Sequence, residues 1–233
     1  MTKPALIMAI SIVMLPASLA QADPIPVIGY DISNALVSGS GAWFHTYTGS
    51  ITPTAVPGVN SSTANYAGGG GTLNDGVIGT SEDDAQLFDV AADSAITLYF
   101  GAFYHVNMIS LFGGNIPTNS IPGALHGPVT VTANGTTAAI TAQAFGTVRS
   151  ATGNPVNDRL LFTGSPLQNI FADRLTLRGF RSELLDNQVG YYSFTEIAVE
   201  GPGPAVPEPA TLTLFGTGLL GAALRRRWRR RED

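Results

Sequence analysis

The chain has 233 residues, with 12 Lys and Arg against 17 Asp and Glu, 27 glycines, 15 prolines and no cysteine. Because cysteine is absent, disulfides, thiolate zinc sites, iron–sulfur clusters and a cysteine nucleophile are all excluded. Charged residues make up 12% of the chain, against about 25% in an ordinary soluble domain. The hydrophobic share of 44% is ordinary, so the chain is not of the highly charged, disordered class.

The N-terminus has the three parts of a secretory signal peptide. Lys3 supplies a cation, residues 5–15 are apolar except for Ser11, and Ala20-Gln21-Ala22 supplies small residues for cleavage. The apolar run is too short to span a bilayer. We therefore predict a signal peptide at residues 1–22, removed after Ala22 by signal peptidase.

Residues 23–201 form the predicted folded domain, in which apolar residues alternate with a period of two rather than at helical spacing. Asn134-Gly135 is a strong signal for a hairpin with Ile140 on the inner side of the returning strand. Between residues 106 and 111 the apolar parity shifts at Met108 and Ile109, which predicts a bulge. These patterns predict an all-β fold, an antiparallel β-sandwich or barrel. The predicted strands cover residues 96–100, 106–111, 129–133, 137–142, 160–162, 173–177 and 191–199.

The stretch from Ser50 to Gly71 is rich in proline, serine and glycine, and we expect it to form a long loop. Four aromatic residues lie in or near it. They either line a binding rim or pack in the core, and a lone aromatic side chain is more often core. These residues are Trp43, Phe44, Tyr47 and Tyr66.

Residues 23–201 hold fourteen Asp and Glu and five Arg, a net charge of −9. This charge repels phosphate backbones and argues against nucleic acid as a partner. His45, His105 and His126 lack zinc-ligand spacing, and no G-x-S-x-G nucleophile motif occurs. The acidic run 82–84 is interpreted as solvated. We therefore predict a non-enzymatic protein and no catalytic residues.

The C-terminal region divides into three predicted parts: a proline-rich linker at 202–209, a short transmembrane helix at 210–224 and a basic cytoplasmic tail at 225–233. Fifteen helical residues extend about 22 Å, which makes a marginal anchor for a hydrocarbon core of about 30 Å. Arginines remain on the cytoplasmic side, so the preceding domain lies outside. The stop-transfer arginines are Arg225, Arg226, Arg227, Arg229, Arg230 and Arg231.

Pro207-Glu208-Pro209, the glycine-rich apolar segment and the arginine cluster together resemble the PEP-CTERM sorting signal of Gram-negative bacteria. The resemblance covers about the last 28 residues. It implies recognition by an exosortase, cleavage near Pro207–Pro209 and a transient membrane anchor before processing. It further implies an exported protein at the cell surface or secreted, of a type that often accompanies exopolysaccharide and biofilm production.

A second resemblance is to the discoidin domain, carried by Gly71-Thr-Leu-Asn-Asp75-Gly76, by residues 95–111 and by the closing strands at 172–177 and 192–201. The tryptophan usual after the Asp-Gly loop is missing, and Gln86-Leu87-Phe88 stands in its place. This resemblance implies a galactose-binding-like jelly roll.

Many relatives of that fold hold one structural calcium, and the matching positions here are Asp75 in the loop and Glu196 in the strand, with Asn74 adjacent as a third candidate ligand. Asp31, near the opening strand, is a further oxygen donor. Oxygen ligands of this type suit calcium. The alternative is that Asp75-Gly76 is only a turn and that Glu196 is a solvated strand residue.

Three functions remain at this stage. In the first, the domain binds carbohydrate or matrix polymer and carries an exposed aromatic cluster near one end of the sandwich. In the second, it is a structural surface or biofilm-matrix protein without a small ligand. In the third, it is a glycan-active hydrolase, which requires two carboxylates facing each other about 5–10 Å apart. We expect the first, with an extracellular polysaccharide as partner.

Overall fold

The computed structural model describes residues 22–113, 127–146, 156–181 and 190–202. These residues form twelve strands and three short 3₁₀ helices, at Ser40–Ala42, Glu82–Asp84 and Val90–Ala92. The strands are β1 (Asp23–Ile25), β2 (Gly29–Leu36), β3 (Ser50–Thr54), β4 (Thr63–Gly69), β5 (Gln86–Asp89), β6 (Ala95–Val106), β7 (Met108–Gly113), β8 (Pro128–Ala133), β9 (Thr136–Ala144), β10 (Val156–Leu161), β11 (Ile170–Arg178) and β12 (Tyr191–Gly201).

The strands pair antiparallel in two layers that share β9. In one layer β12 pairs with β1, β5 and β7, and β10 joins β7 to β9. In the other layer, which we call the second layer, the order is β9, β8, β11, β6, β2, β4, β3. The predicted all-β antiparallel fold is confirmed. The predicted hairpin is confirmed as well, since Asn134 and Gly135 have φ of 50° and 78° between β8 and β9.

The larger of two apolar clusters in the described residues fills the space between the two layers, and a smaller one surrounds Trp43. Ile109, Leu111 and Val199 come from one layer, and Leu98 and Leu175 come from the other. Ile140 is 3% exposed, so it points inward as predicted. Full burial of such a side chain contributes roughly 1.5–3 kcal/mol, and the cluster holds 29 buried residues. This shared core is why the fold needs no disulfide.

Two changes of apolar parity along the chain have different structural causes. At residues 106–111 the predicted bulge is wrong. β6 ends at Val106, Asn107 donates its N–H to Glu200 O, and the chain enters β7 in the other layer. In β12, by contrast, the pairing with β7 shifts between Phe194 and Glu196. Tyr192 and Phe194 have even numbers, whereas Ile197 and Val199 have odd numbers, so a regular strand would place the two pairs on opposite faces. Because of the bulge, all four side chains face the same core.

The predicted long loop from Ser50 to Gly71 is also wrong, because this stretch contains β3 and β4. Glycine here permits close approach of two backbones. A Cβ on Gly69 would overlap Gly49, lying 2.6 Å from its Cα, and Tyr66 on the same strand is buried. The glycine- and proline-rich composition of this stretch indicated a loop. In the structure the stretch forms β3 and β4 at the edge of the sheet, because its glycines allow the strands to pack closely.

We expect Gly69→Ala to destabilise the domain by roughly 1–3 kcal/mol, because the added methyl group must displace backbone atoms of Gly49. The measurement is the free energy of unfolding in urea.

Ala67→Ser is the matched control, since Ala67 is exposed on the same strand and such surface changes usually stay within about 0.5 kcal/mol. Equal stability of Gly69→Ala and wild type would contradict the close approach of the two strands.

Candidate functional site

The loop at residues 71–77 meets Glu196 of β12, as the discoidin resemblance implied. Glu196 Oε2 accepts the N–H of Gly76 at 2.7 Å, and Glu196 Oε1 accepts the N–H of Ile197 at 3.0 Å. Asp75 Oδ1 accepts the N–H of Val77 at 2.8 Å. The Asp75-Gly76 turn and the closing strand are therefore fastened to each other through the carboxylate of Glu196.

Asn74 has a different role at this loop from that of the two carboxylates. Its Oδ1 accepts the N–H of Gly71 at 2.8 Å, and its amide group donates to Val27 O at 2.8 Å. Asn74 thus holds the loop against the segment that leads into β2. Of the three residues implied as calcium ligands, Asp75 and Glu196 lie at the same turn, where the charge of one acts on the other. The side chain of Asn74 instead bonds to the backbone on both sides of it.

Glu196 is 6% exposed, and within the described part of the chain it forms no ion pair with a basic side chain. Burial raises the pKa of Glu196 to about 7. The N–H bonds of Gly76 and Ile197 oppose that rise, and the charge of Asp75 adds to it. Asp75 and Glu196 offer only oxygen atoms, and the buried carboxylate of Glu196 has no basic side chain beside it in the described residues. Such oxygen ligands fit a hard cation such as calcium. No cluster of three or more His, Asp or Glu with metal-binding geometry occurs among the described residues.

Asp31 lies on the outer face of the second layer rather than at this loop. Asp31 Oδ2 accepts the hydroxyl of Tyr99 at 2.7 Å, and Oδ1 accepts the N–H of Gly68 at 2.8 Å. The hydrogen bond to Asp31 raises the pKa of Tyr99. The Tyr99 hydroxyl is therefore held in a fixed, protonated orientation at the surface.

A pair of phenylalanines projects from the same outer face. Phe103 and Phe171 are 53% and 51% exposed, and their rings stack at 5.3 Å between centroids with an interplanar angle of 28°. The ring of His105 lies 4.8 Å from that of Phe171, and His105 Nδ1 lies 3.0 Å from Asn169 O. We call Phe103, Phe171 and His105 the aromatic platform.

A local irregularity of β6 produces this platform. Ala172 of β11 pairs with Tyr104, whereas Arg174 pairs with Tyr99, so residues 100–103 of β6 oppose Asp173 alone. Gly101 has φ of 73°, a left-handed conformation that glycine adopts without steric cost. The bulged segment carries Phe103 out of the regular pleat and toward solvent.

A cleft of about 350 Å³ lies beside the platform. It is lined by Ile28, Tyr99, Gly101, Ala102, Phe103 and Asp173. Asp173 forms an ion pair with Arg174 at 3.6 Å, and both side chains are partly exposed. Phe103, Tyr99 and Asp173 thus bring aromatic rings and a carboxylate to one open cavity, which can offer both apolar stacking and hydrogen bonds, and Arg174 pairs with that carboxylate.

The aromatic residues singled out in the sequence lie elsewhere. Trp43 and Tyr66 are each 1% exposed and are packed in the interior, which was the alternative to a binding rim in the sequence analysis. Tyr47 donates its hydroxyl to Tyr30 O at 2.7 Å. His45 Nε2 lies 2.9 Å from the Tyr66 hydroxyl, and burial lowers the pKa of His45 to about 4.

The sequence did not single out Phe103 and Phe171. Phe171 shares the parity of the inward residues Leu175 and Leu177, and only the register shift at Asp173 turns it outward. Gly101 inside a strand was the available signal, because an isolated glycine in a strand often marks a bulge.

Several predicted segments fall outside the described residues. These are signal-peptide residues 1–21, His126, the sorting motif Pro207, Glu208 and Pro209, the predicted helix at 210–224 and the terminal arginines. In the described ranges, no helix has the length and apolar character needed to cross a membrane.

The PEP-CTERM protein-sorting motif matches residues 205–227. The sequence identification of this signal is thus confirmed. The motif marks an exported protein that an exosortase processes and that is anchored through its C-terminus before processing.

No curated protein sequence matches the chain. Among solved structures, the family 32 carbohydrate-binding module of Clostridium perfringens NanJ, in complex with galactose, is similar at 16% identity and a TM-score of 0.35, covering 67% of this chain and 99% of that one. The C. perfringens module CpGH89CBM32-5, in complex with GalNAc-β-1,3-galactose, shows 15% identity and a TM-score of 0.36, covering 66% and 94%. Chitosan-binding module 1 from a Paenibacillus sp. IK-5 chitosanase/glucanase shows 15% identity and a TM-score of 0.36, covering 72% and 99%.

The raised pKa of Glu196 leads to a pH-dependence prediction for the metal-free protein. A folded-state value of about 7 lies above the usual 4.5, so the folded state binds the proton more tightly than the unfolded chain. The resulting stabilisation is complete below about pH 4.5 and is lost as the pH rises through 7, with a difference on the order of 3 kcal/mol. The measurement is the free energy of unfolding between pH 5 and 8 in a chelator.

Glu196→Gln removes the titrating group and should flatten this part of the profile. His45 titrates in the same region with the opposite sign, since its pKa is lowered, and subtracting the variant profile from the wild-type profile cancels its contribution. Parallel profiles for the two proteins would refute the buried state of Glu196.

Proposed function

We propose that the exported domain binds a neutral extracellular polysaccharide without catalysis and that the aromatic platform is its primary contact. The observation that carries the proposal is the stacked pair Phe103 and Phe171, both half exposed, of which Phe103 lines the cleft. The cluster agrees with the sequence-based expectation of exposed aromatic residues on a carbohydrate-binding sandwich.

Sugar rings suit this surface because a pyranose has apolar C–H faces and a hydroxyl-bearing edge. The C–H face packs on the ring of Phe103 or Phe171, and removing that apolar area from water is favourable. The hydroxyl edge reaches Asp173, Arg174 and the rim near Tyr99, where carboxylate and guanidinium groups form charge-assisted hydrogen bonds.

The charge of the site favours a neutral polymer over an anionic one. Arg174 is already paired with Asp173, and Asp31 lies on the same face. The region from residue 23 to 201 carries a net charge of −9, and such a field disfavours uronic-acid or sulfated chains at low salt.

Truncation of the platform is the direct experiment. We expect Phe171→Ala to weaken binding roughly tenfold or more, because a lost aromatic contact of about 1.4 kcal/mol corresponds to that factor. Binding is measured by affinity electrophoresis of the exported protein in gels containing dextran, galactan, laminarin or hydroxyethylcellulose, with alginate as the anionic comparison.

Phe44→Ala is the matched control, since Phe44 is a similarly exposed phenylalanine, at 45%, that belongs neither to the aromatic platform nor to the cleft lining. Retardation by a neutral polymer that is lost in Phe171→Ala and retained in Phe44→Ala supports the proposal. Unretarded migration in every gel counts for the structural matrix alternative, and release of reducing sugar from a polymer counts for the hydrolase.

A structural calcium ion at Asp75 and Glu196 is a second part of the proposal. The ion would supply positive charge to two neighbouring carboxylates, one of them buried, and so stabilise the loop at 71–77. Asp75 offers the carboxylate oxygen other than Oδ1, and Glu196 offers the lone pairs of Oε1 and Oε2 that their N–H bonds leave available.

For the calcium site we expect added calcium to raise the thermal midpoint of the wild type, since a ligand that binds only the folded state stabilises it by mass action. The rise should disappear on chelation and in Glu196→Gln. Differential scanning calorimetry with calcium, with magnesium and with chelator is the measurement. An unchanged midpoint in calcium would show that Asp75 and Glu196 act as a cation-free turn and strand.

A further inference from the structure

A second cleft adjoins the cleft beside the aromatic platform. It has a volume of about 370 Å³ and shares Ile28 and Tyr99 with the first cleft. The two clefts therefore lie side by side on the outer face of the second layer, and we call them together the groove. The second cleft is lined by Ile28, Gly29, Tyr30, Thr48, Gly68, Gly69, Gly70 and Tyr99.

Backbone without side chains forms the floor of the second cleft. A Cβ on Gly29 would lie 2.7 Å from Gly69 O, so close strand packing requires glycine at this position. The N–H groups of Gly68, Gly69 and Gly70 are bonded to Asp31, Tyr47 and Thr48, respectively. The floor therefore carries no side chain at these glycines and their N–H groups are already bonded, which leaves space for a ligand above it.

The groove runs across strands rather than along one. Of the lining residues, Asp173 lies on β11, Phe103 and Tyr99 on β6, Gly29 on β2 and Gly69 on β4, and these four strands are successive neighbours. Three strand spacings amount to about 14 Å. This span exceeds a single pyranose ring, so a monosaccharide on the platform leaves the second cleft empty.

From this adjacency we infer that the groove binds an interior stretch of an extended neutral glycan chain, with one sugar on the aromatic platform and further sugars over residues 68–70. The inference rests on the proposed carbohydrate function and extends it from one sugar to a chain. Ile28 separates the two clefts as an exposed apolar ridge, 64% exposed, against which a glycosidic linkage packs. The Thr48 hydroxyl lies at the far end as a hydrogen-bonding group.

The experiment measures affinity against chain length. Isothermal titration of the exported protein uses laminari- and cello-oligosaccharides, each from the monosaccharide to the hexasaccharide. We expect affinity to rise roughly tenfold or more between the monosaccharide and the tetrasaccharide, because each sugar over the second cleft adds contacts. Equal affinity for all lengths overturns the inference without any mutation.

Thr48→Tyr fills the second cleft and should remove the gain with length while preserving binding of the monosaccharide. Thr52→Tyr is the matched control, since it introduces the same side chain at an exposed position on β3 outside both clefts. Retained monosaccharide binding shows that a variant is folded. Loss of the length dependence in Thr52→Tyr, or its persistence in Thr48→Tyr, overturns the inference.

Phe171→Ala separates this inference from the proposed function. If Phe171→Ala abolishes binding at every length but the wild type shows no gain with length, the platform binds sugar and the extended groove does not. If Phe171→Ala leaves all affinities unchanged, the proposed function fails and the inference that rests on it fails too.

Discussion

The apolar side chains of β6, β11 and β12 have to face one core that both layers share, although their apolar residues do not keep a single parity along each strand. A regular strand turns every second residue inward, so a change of parity requires an extra residue in the ladder. β12 makes this change between Phe194 and Glu196, and the β6–β11 pair makes it around Asp173. Both candidate sites lie at these irregularities.

The register shift in β12 and the register shift between β6 and β11 have opposite consequences for burial. In β12 it holds Glu196 beside the turn at Gly76, where two backbone N–H groups and burial determine the properties of its carboxyl group. In β6 it leaves Phe103 without a core position, next to Phe171 at the surface. Core packing thus explains a buried acid at one site and exposed aromatic rings at the other.

The chain enters and leaves the described domain at one point near the platform. Asp23 pairs with Gly201, and a Cβ on Gly201 would lie 2.6 Å from His105 O. The PEP-CTERM motif begins at residue 205, only a few residues after the end of β12. The aromatic platform therefore lies near the place where the first and last described strands, β1 and β12, pair.

Local patterns were sufficient for part of the molecule. The Pro-Glu-Pro motif with its basic end, the Asn134-Gly135 hairpin and the period-two apolar segments depend on neighbouring residues alone, so the sequence predicted the export signal and the all-β class. The pairing of Glu196 with the Asp75-Gly76 loop followed from resemblance, over 120 residues of separation.

Positions that depend on contacts between distant strands were decided only by the tertiary structure. The glycines of β4 look like loop residues until Gly49 approaches Gly69 across the sheet. The parity of Phe171 indicates a core residue until the pairing of β11 with β6 shifts at Asp173. A one-residue change in register reverses which face a side chain occupies, and register is set by the partner strand rather than by the segment itself.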